Sequence, residues 1–260
     1  MDDDPLIVWA RQDDKPGVRV FRAPDAVAVA GPALSRRDRL AVAGEPAAVA
    51  GLLADVLPEV GPTFRPLGDE DLIAAVARRV DGIEMAGRFM MMDTAAPAPG
   101  AVLLPAAEPS ARAEDPGPSG AGRAAWLDDI TGVADLLREA FPDSYAQPGA
   151  PGVLRWAGVR DEDGKLLATA ADAWSVRDVG FIAGVATHPA ARGTGLASAL
   201  CAFVTNDMLR THRRVALFAD HWNEAALRTY RRLGFTQRPL AAAEQTVDRA
   251  NRGPARDHRS

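Results

Sequence analysis

The chain has 260 residues, 47% of them hydrophobic, and a formal charge of -5 because 35 acidic residues outnumber 30 basic ones. Its length allows one large or two small hydrophobic cores, and its acidic balance argues against a nucleic-acid surface, which needs concentrated Lys and Arg. No apolar run approaches the roughly eighteen residues of a membrane span, and the acidic start differs from the basic start of a signal peptide, so we expect a cytoplasmic protein with no membrane partner.

The cysteine and histidine content limits the disulfides and metal sites that the chain could form. The single cysteine, Cys201, excludes an internal disulfide framework. With only four scattered histidines the chain offers no metal-ligand spacing, so no metal is expected. Because Cys201 falls in a predicted helix, we expect an inert core thiol and not a nucleophile.

Residues 1–95 alternate strand-like and helix-like patterns. The run VRVFRAPDAVAVAG predicts strands, and AVAGEPAAVAGLLADVL leads from a strand into a helix. A short strand, a second helix (DEDLIAAVARRV) and a final strand (RFMMM) follow. Residues 96–122 are so rich in Pro, Gly, Ala and Ser that they predict a linker between two halves.

Residues 123–245 predict a second α/β unit. A helix is expected from Asp129 to Phe141, then strands at VLRWAGVR, KLLATAADAW and GFIAGVAT, with a hairpin turn at DEDG. A long helix should run from about Gly193 to His212, followed by the strand RVALFA, a helix from Asn223 to Arg232 and a strand from Phe235. The fold class is therefore α/β, a mixed, mostly antiparallel sheet flanked by helices, and residues 246–260 predict a flexible tail.

The stretch THPAARGTGLASAL, Thr187 to Leu200, carries an anion-binding pattern. A strand that feeds a helix here directs free backbone N–H groups and the positive end of the helix dipole at one place. Gly193 and Gly195 permit unusual dihedral angles and close approach of a phosphate, and Arg192 adds a permanent charge. The loop lacks both the Walker lysine and the dinucleotide fingerprint, and by itself it is equally compatible with a strand-to-helix turn that binds nothing.

A second motif, NEAALRTYRRLGF, begins at Asn223. Asn223 and Tyr230 are seven residues apart and share one helix face, with the small Ala226 between them. This face predicts a ligand beside the helix. The structural alternatives are a helix cap for Asn223 and a core position for Tyr230.

The two motifs together, with the strand GVAT and the pattern Arg-X-X-Gly-X-Ala, resemble the acetyl-CoA-binding motifs of the GNAT N-acetyltransferase superfamily. The resemblance covers roughly Trp126 to Thr236 and implies a GNAT-like fold with acetyl-CoA as cosubstrate. It implies that the pyrophosphate binds at Arg192, Gly193, Thr194, Gly195, Leu196 and Ala197. The amides of Val185 and Thr187 and the side chain of Asn223 would contact the pantetheine arm, a backbone N–H near Val185 would stabilise the oxyanion, and Tyr230 would protonate the leaving thiolate.

The general base departs from the family pattern. Many members have a glutamate on the strand before the phosphate loop, and Phe181 stands at that position here. The candidates elsewhere are Asp178, His188, Asp220 and His221, each of which is also compatible with an ordinary surface role. Water or bulk solvent could also take the proton.

Residues 41–57 align without gaps to residues 184–200, with eight identities in seventeen, several of them alanine. We interpret this as an internal repeat, a tandem of two GNAT-like halves similar to the arrangement in the glycine N-acyltransferase-like branch. Val49, Ala50 and Leu52 replace Arg192, Gly193 and Gly195, so the first half should not bind coenzyme A. It would pack on the catalytic half, wall the acceptor pocket or replace a dimer partner; an unrelated small α/β domain is the alternative.

The predicted function is transfer of an acetyl group from acetyl-CoA to a primary amine of a small molecule or amino acid, by a monomer or homodimer. A non-catalytic acyl-CoA sensor and a protein N-acetyltransferase are the alternatives. The net charge slightly favours a cationic acceptor.

Overall fold

A computed structural model describes residues 1–99 and 122–246 of the chain. The strands in this part are β1 (Arg19–Ala23), β2 (Ala26–Leu34), β3 (Arg37–Gly44), β4 (Arg65–Asp69), β5 (Ile83–Thr94), β6 (Ala125–Trp126), β7 (Val153–Arg160), β8 (Leu166–Ala173), β9 (Val179–Thr187), β10 (Arg214–Asp220) and β11 (Thr236–Gln245). The α-helices are α1 (Pro5–Arg11), α2 (Pro46–Val60), α3 (Glu70–Ala77), α4 (Val133–Ala140), α5 (Leu196–Met208) and α6 (Glu224–Arg232).

All of these strands belong to one sheet, in the order β1-β2-β3-β4-β11-β5-β10-β9-β8-β7-β6. Within the described residues only two neighbouring pairs are parallel, β3 with β4 and β9 with β10. Each parallel pair is joined by a helix, α2 or α5, because parallel neighbours need a crossover connection. The predicted mixed, mostly antiparallel sheet flanked by helices is confirmed.

The last strand of each half crosses into the other half. Strand β5, which ends the first half, pairs with β10 of the second half, and β11, which ends the second half, pairs with β4 of the first. Strands β5 and β11 also pair with each other at the centre of the sheet. Neither half therefore completes its own sheet.

Alternate residues of each strand point to opposite faces of the sheet, and both faces are covered by helices. On β10, Ala216 and Phe218 face a hydrophobic cluster that includes α1 and α4, whereas Val215 and Leu217 face a cluster built with α5 and α6. A third cluster packs α2 and α3 against the first half of the sheet. The period-two pattern of each strand thus assigns α1 and α4 to one face and the other four helices to the opposite face.

Helix α1 was not anticipated in the sequence analysis. Asp4 caps it by accepting a hydrogen bond from the Leu6 amide at 2.8 Å, and Pro5 occupies the first turn, where its missing N–H costs nothing. Trp9 is fully buried. The helix contacts β2 and β3 of the first half and β9 of the second, so the sheet curves around it.

Two predicted helices prove shorter than expected. Helix α4 begins at Val133 and not at Asp129, because Gly132 has φ +89° and the Thr131 amide bonds to the Asp129 carboxylate. Helix α5 runs from Leu196 to Met208 instead of from Gly193 to His212; Gly193 and Gly195 have positive φ and cannot continue a helix. Most of the predicted linker and tail lies outside the described residues.

Among residues 1–99 and 122–246, no helix combines the length and apolar character needed to cross a bilayer.

Candidate active site

The parallel strands β9 and β10 diverge partway along their length. They pair in register only as far as Ile182 and Leu217, with no further pairs between them in the described chain. A β-bulge accompanies the divergence, since Gly184 and Val185 of β9 together oppose a single residue of β8. The following backbone of β9 faces a gap instead of β10, and an extended ligand could pair with it as an added strand would.

Gly184 shapes this bulge. Its φ is +60°, and a Cβ placed on it would lie 2.9 Å from the Trp156 ring. Glycine is therefore required both by the backbone conformation and by the close packing. Val185 and Thr187, the two predicted amide contacts, both lie beyond Ile182, the last residue of β9 that pairs with β10.

The glycine-rich loop connects the diverging strand to α5. After Thr187 the chain makes one 3-10 turn (Pro189–Ala191), then Gly193 and Gly195 take φ of +79° and +89°. A Cβ on either glycine would meet no atom within 4 Å. The two glycines are therefore needed for the conformation of the loop, and the space in front of them is open.

The amides of Gly193, Thr194, Gly195 and Leu196 donate no hydrogen bond to an acceptor in the described chain. No side chain caps α5, so its positive dipole end is also exposed. The Arg192 guanidinium lies beside the loop, exposed, 3.4 Å from the carbonyls of Thr187 and Ala140. Free amides, a helix N-terminus and a cation together fit a pyrophosphate.

Both residues predicted on α6 also serve the fold. The Asn223 side chain caps the helix, with Oδ1 accepting from the Ala226 amide at 3.1 Å, and Asn223 remains partly exposed. Tyr230 is 6% exposed and packs against Phe235, with ring centroids 5.8 Å apart. Asn223 therefore caps the helix and Tyr230 occupies a core position, as the structural alternatives predicted. Both roles are compatible with a further role in the site.

Burial controls the chemistry of Tyr230 and of Cys201, which is its hydrogen-bonding neighbour. Burial raises the pKa of Tyr230 well above its usual value, and the adjacent thiol adds to the effect. Burial also raises the pKa of the Cys201 thiol to about 12. Tyr230 thus keeps its proton at neutral pH, and Cys201 is the buried thiol that its helical position predicted.

The structure brings the distant motifs into one cluster. Leu196 from the loop, Tyr230 from α6 and Val185 from the diverging strand belong to the same hydrophobic cluster, with Ala226 at its edge. These residues are up to 45 positions apart in the sequence. The crossover from β9 through α5 to β10 and α6 places them around the gap between the strands.

Phe181 takes the place of a carboxylate on β9. It is 2% exposed and stacks on Trp9 with ring centroids 4.7 Å apart. Asp178 precedes β9 at the paired end, away from the divergence. His188 accepts from the Ala190 amide at 3.2 Å, and His221 lies 3.0 Å from the Arg88 carbonyl.

Asp220 lies at the end of β10, beyond the last residue that pairs with β9. Desolvation raises the pKa of its carboxyl group, and the charge of Asp143 in the loop after α4 raises it further, against an opposing effect of His221. By strand alternation Asp220 shares a face with Phe218. Of the four candidate bases, it alone combines a place at the divergence with a raised pKa.

An aromatic cluster that the sequence analysis missed lines this face. Trp9 and Phe89 from the first half meet Phe181 and Phe218 from the second, with centroid distances of 4.7 to 5.1 Å. Arg39 of β3 also reaches it, 5.8 Å from the Phe218 ring. A sequence signal for Arg39 existed, because it stands two residues before Ala41, and period-two alternation places both residues on the same face of the strand.

The first half has no equivalent of the glycine-rich loop. Strand β3 ends at Gly44 and α2 begins at Pro46, so the strand passes almost directly into the helix. Val49, Ala50 and Leu52 lie buried inside α2. An open cleft of about 580 Å³ lies on this half between α2 and the turn after α3, lined in part by Arg79 and Asp81, and no predicted site residue borders it.

Residues 126–235 match the family model described as the acetyltransferase (GNAT) family. A solved structure of a GCN5-related N-acetyltransferase from Kribbella flavida superimposes with a TM-score of 0.61 at 19% identity, covering 93% of this chain and 95% of that one. A GCN5-related N-acetyltransferase from Sphaerobacter thermophilus has a TM-score of 0.52 at 18% identity, covering 90% and 84%. At these identities the likeness establishes the fold, and it extends over both halves. No curated protein matches the chain in sequence.

Proposed function

Because residues 126–235 match the model of the GNAT acetyltransferase family, we propose that the protein is an N-acyltransferase that moves an acetyl group from acetyl-CoA to a primary amine. The observation that carries the proposal is the divergence of β9 and β10 beside a glycine-rich loop with free amides. The acceptor is a small molecule or an amino acid.

The loop supplies the binding site for the pyrophosphate. The amides of residues 193–196, with Ala197 in the first turn of α5, face the phosphate oxygens, and Arg192 supplies the positive charge. Val185 and Thr187 pair with the pantetheine amides along the unpaired side of β9, and Asn223 contacts the same arm while it caps α6. An amide near Val185 stabilises the oxyanion.

Acetyl-CoA supplies the acyl group as a thioester, so a C–N bond to the amine forms as the C–S bond breaks. Tyr230 donates its phenolic proton to the departing sulfur, and its raised pKa keeps that proton available. Asp220 accepts the proton that the amine loses. Its raised pKa makes it a better base than an ordinary carboxylate and leaves it ionised above that pKa.

We also infer that the first half is a degenerate copy of the catalytic half. The two parallel pairs, each followed by a helix, occupy matching places on either side of the central strands β11 and β5. The missing loop and the buried Val49 and Leu52 support a half that binds no coenzyme A. It takes the position of a dimer partner within one chain.

The experiment that tests the function is release of free thiol from acetyl-CoA with a panel of amines: amino acids, polyamines, aminoglycosides and lysine-bearing peptides. We expect turnover with one class of small acceptor and, by calorimetry, one coenzyme A per chain. Binding without turnover across the panel would favour the acyl-CoA sensor. Two coenzyme A sites per chain would contradict the degenerate first half, and turnover with peptides alone would favour the protein acetyltransferase.

A further inference from the structure

Arg39 of β3 is a buried charge without a counter-ion. It is 8% exposed, its Nε donates to the Leu34 carbonyl at 3.0 Å, and no carboxylate of the described chain forms an ion pair with it. Burial lowers the pKa of Arg39 to about 10, and the neighbouring cations Arg37 and Arg65 lower it too, partly opposed by Tyr145. Burying a charge without a counter-ion is costly, and an anion bound at Arg39 would offset that cost.

Arg39 lies against the face of the sheet on which Asp220 stands. Its guanidinium carbon is 5.8 Å from the centroid of Phe218, although three strands separate β3 from β10 in the sheet. Curvature of the sheet around α1 makes this contact possible. Phe218 lies two residues before Asp220, so the carboxylate is about 7 Å further along β10.

Among the described residues, a buried donor without an acceptor belongs to Trp9, whose ring packs against Phe218. The indole Nε1 of Trp9 is buried and has no hydrogen-bond partner in the described chain. The Trp9 ring lies 5.1 Å from Phe218 and 4.7 Å from Phe181. Buried N–H groups almost always have an acceptor, so this unpaired indole N–H, on a ring that packs against the same Phe218 as Arg39, is consistent with a ligand that supplies acceptor oxygens.

Building on the proposed function, we infer that the acyl acceptor is an amino carboxylate whose carboxylate binds Arg39. A planar guanidinium with free N–H groups matches a carboxylate in a two-point contact. The amine of the same molecule then lies toward Asp220 and the divergence of β9 and β10. The first half therefore contributes the residue that selects the acceptor. The net negative charge of the protein then does not predict the charge of the acceptor group that binds at Arg39.

The test compares matched acceptors that differ only in the carboxylate, such as glycine with methylamine and phenylalanine with phenethylamine. We expect kcat/KM to be at least about tenfold higher for the carboxylates, since a hydrogen bond to a charged group contributes about 1.5–3 kcal/mol. Arg39→Gln should remove this preference by raising the KM for carboxylate acceptors, and it should leave the Kd for coenzyme A unchanged. The matched control is Arg65→Gln, because Arg65 pairs with Arg39 in register but contacts Glu244 at 3.5 Å; it should keep the preference.

A binding measurement without acetyl-CoA separates this inference from the proposed function. An amino carboxylate should raise the Tm of the wild-type protein and of Arg65→Gln, and not that of Arg39→Gln, whose own Tm should equal or exceed the wild-type value. If Arg39→Gln does not fold, Arg39→Lys keeps the charge without the planar fork and should show a weakened preference. Turnover of decarboxylated amines as fast as of their parent amino acids would overturn the inference and leave the acetyltransferase standing. If no amine is acetylated, the proposed function fails, and the Tm comparison still decides whether Arg39 binds a carboxylate.

Discussion

Burial sets the protonation state of Tyr230, the proposed general acid. An exposed tyrosine and a buried one both carry a proton at neutral pH, but burial raises the pKa of Tyr230 well above the usual value and removes ionisation as a competing state. The neighbouring Cys201 is held in its thiol form by the same desolvation. In this pair the tyrosine is the proposed proton donor, because the thiol is fully buried and Tyr230 is 6% exposed.

Tyr230→Phe should lower kcat by about a hundredfold or more while the Kd for coenzyme A stays near the wild-type value. The reason is that general acid catalysis typically contributes a factor of about 10² to 10⁴, whereas the phenyl ring keeps the packing against Phe235. Steady-state kinetics with calorimetric titration of coenzyme A checks both values. Cys201→Ser is the matched control, because it changes the hydrogen-bonding neighbour and keeps the phenol. An unaltered kcat in Tyr230→Phe would remove this residue from the mechanism.

The pH dependence of the reaction should reveal Asp220. A base must be ionised, so kcat/KM should fall as the pH drops through the pKa of Asp220, which desolvation and Asp143 raise above its usual value. Asp143→Asn removes one cause of the shift and should move this acid limb to lower pH. The other facing groups, His221, Arg88 and Glu70, are unchanged in that variant.

Asp220→Asn should abolish the acid limb and lower the rate, and Asp178→Asn, at the far end of β9, should do neither. The pH–rate profiles of the three variants over the acid range are the measurement. Wild-type profiles in both Asp220→Asn and Asp143→Asn would assign the proton to water or solvent.

At the scale of elements, the glycine-rich loop owes its chemistry to two backbone conformations. Positive φ at Gly193 and Gly195 interrupts the path from β9 into α5 and leaves four amides free. In the first half the strand passes almost directly into α2, and no such loop forms. The same strand-to-helix crossover therefore forms the proposed anion site in one half and packs a core in the other.

Gly195→Ala should weaken coenzyme A binding at least about tenfold. Its φ of +89° costs a residue with a Cβ about 1–2 kcal/mol, so the loop would relax and turn its amides away. Gly164→Ala is a matched control, because Gly164 has φ +80°, equally open surroundings and a place in the β7–β8 turn. Both variants should lose similar stability in thermal unfolding, and only Gly195→Ala should change the Kd. Equal affinities in calorimetry would mean that the loop does not hold the phosphates.

For the whole molecule, the exchange of final strands makes the halves interdependent. Strand β5 fills the place between β10 and β11, so the second half alone would have a gap in the middle of its sheet. Trp9 of α1 likewise packs on Phe181 beside the candidate site, so the first half also covers part of this face of the sheet. A substitution in either half should therefore lower the stability of both.

Residues 122–260 expressed alone should fail to fold, because β10 would expose an unpaired edge and the aromatic cluster would lose Trp9 and Phe89. Co-expression with residues 1–99 should restore a folded complex that co-purifies and binds one coenzyme A. Circular dichroism and calorimetry of the fragment, of the complex and of the intact chain are the measurements. A fragment 122–260 that unfolds cooperatively and binds coenzyme A with wild-type affinity would show that the halves are independent.

The sequence by itself determined the local elements of the site. Glycines that tolerate positive φ, an asparagine that caps a helix and a period-two strand pattern act over a few residues, so their positions predict the loop, α6 and the flanking strands. The family model confirms the resemblance of residues 126–235, and the sheet confirms the fold class, while the tandem arrangement and the roles of Tyr230 and of the loop stay predictions. Only the tertiary structure decided which distant groups meet: the exchanged strands, α1 against Phe181, and Arg39 of β3 at the Phe218 ring. These contacts depend on the curvature and pairing of a whole sheet, which no local pattern specifies.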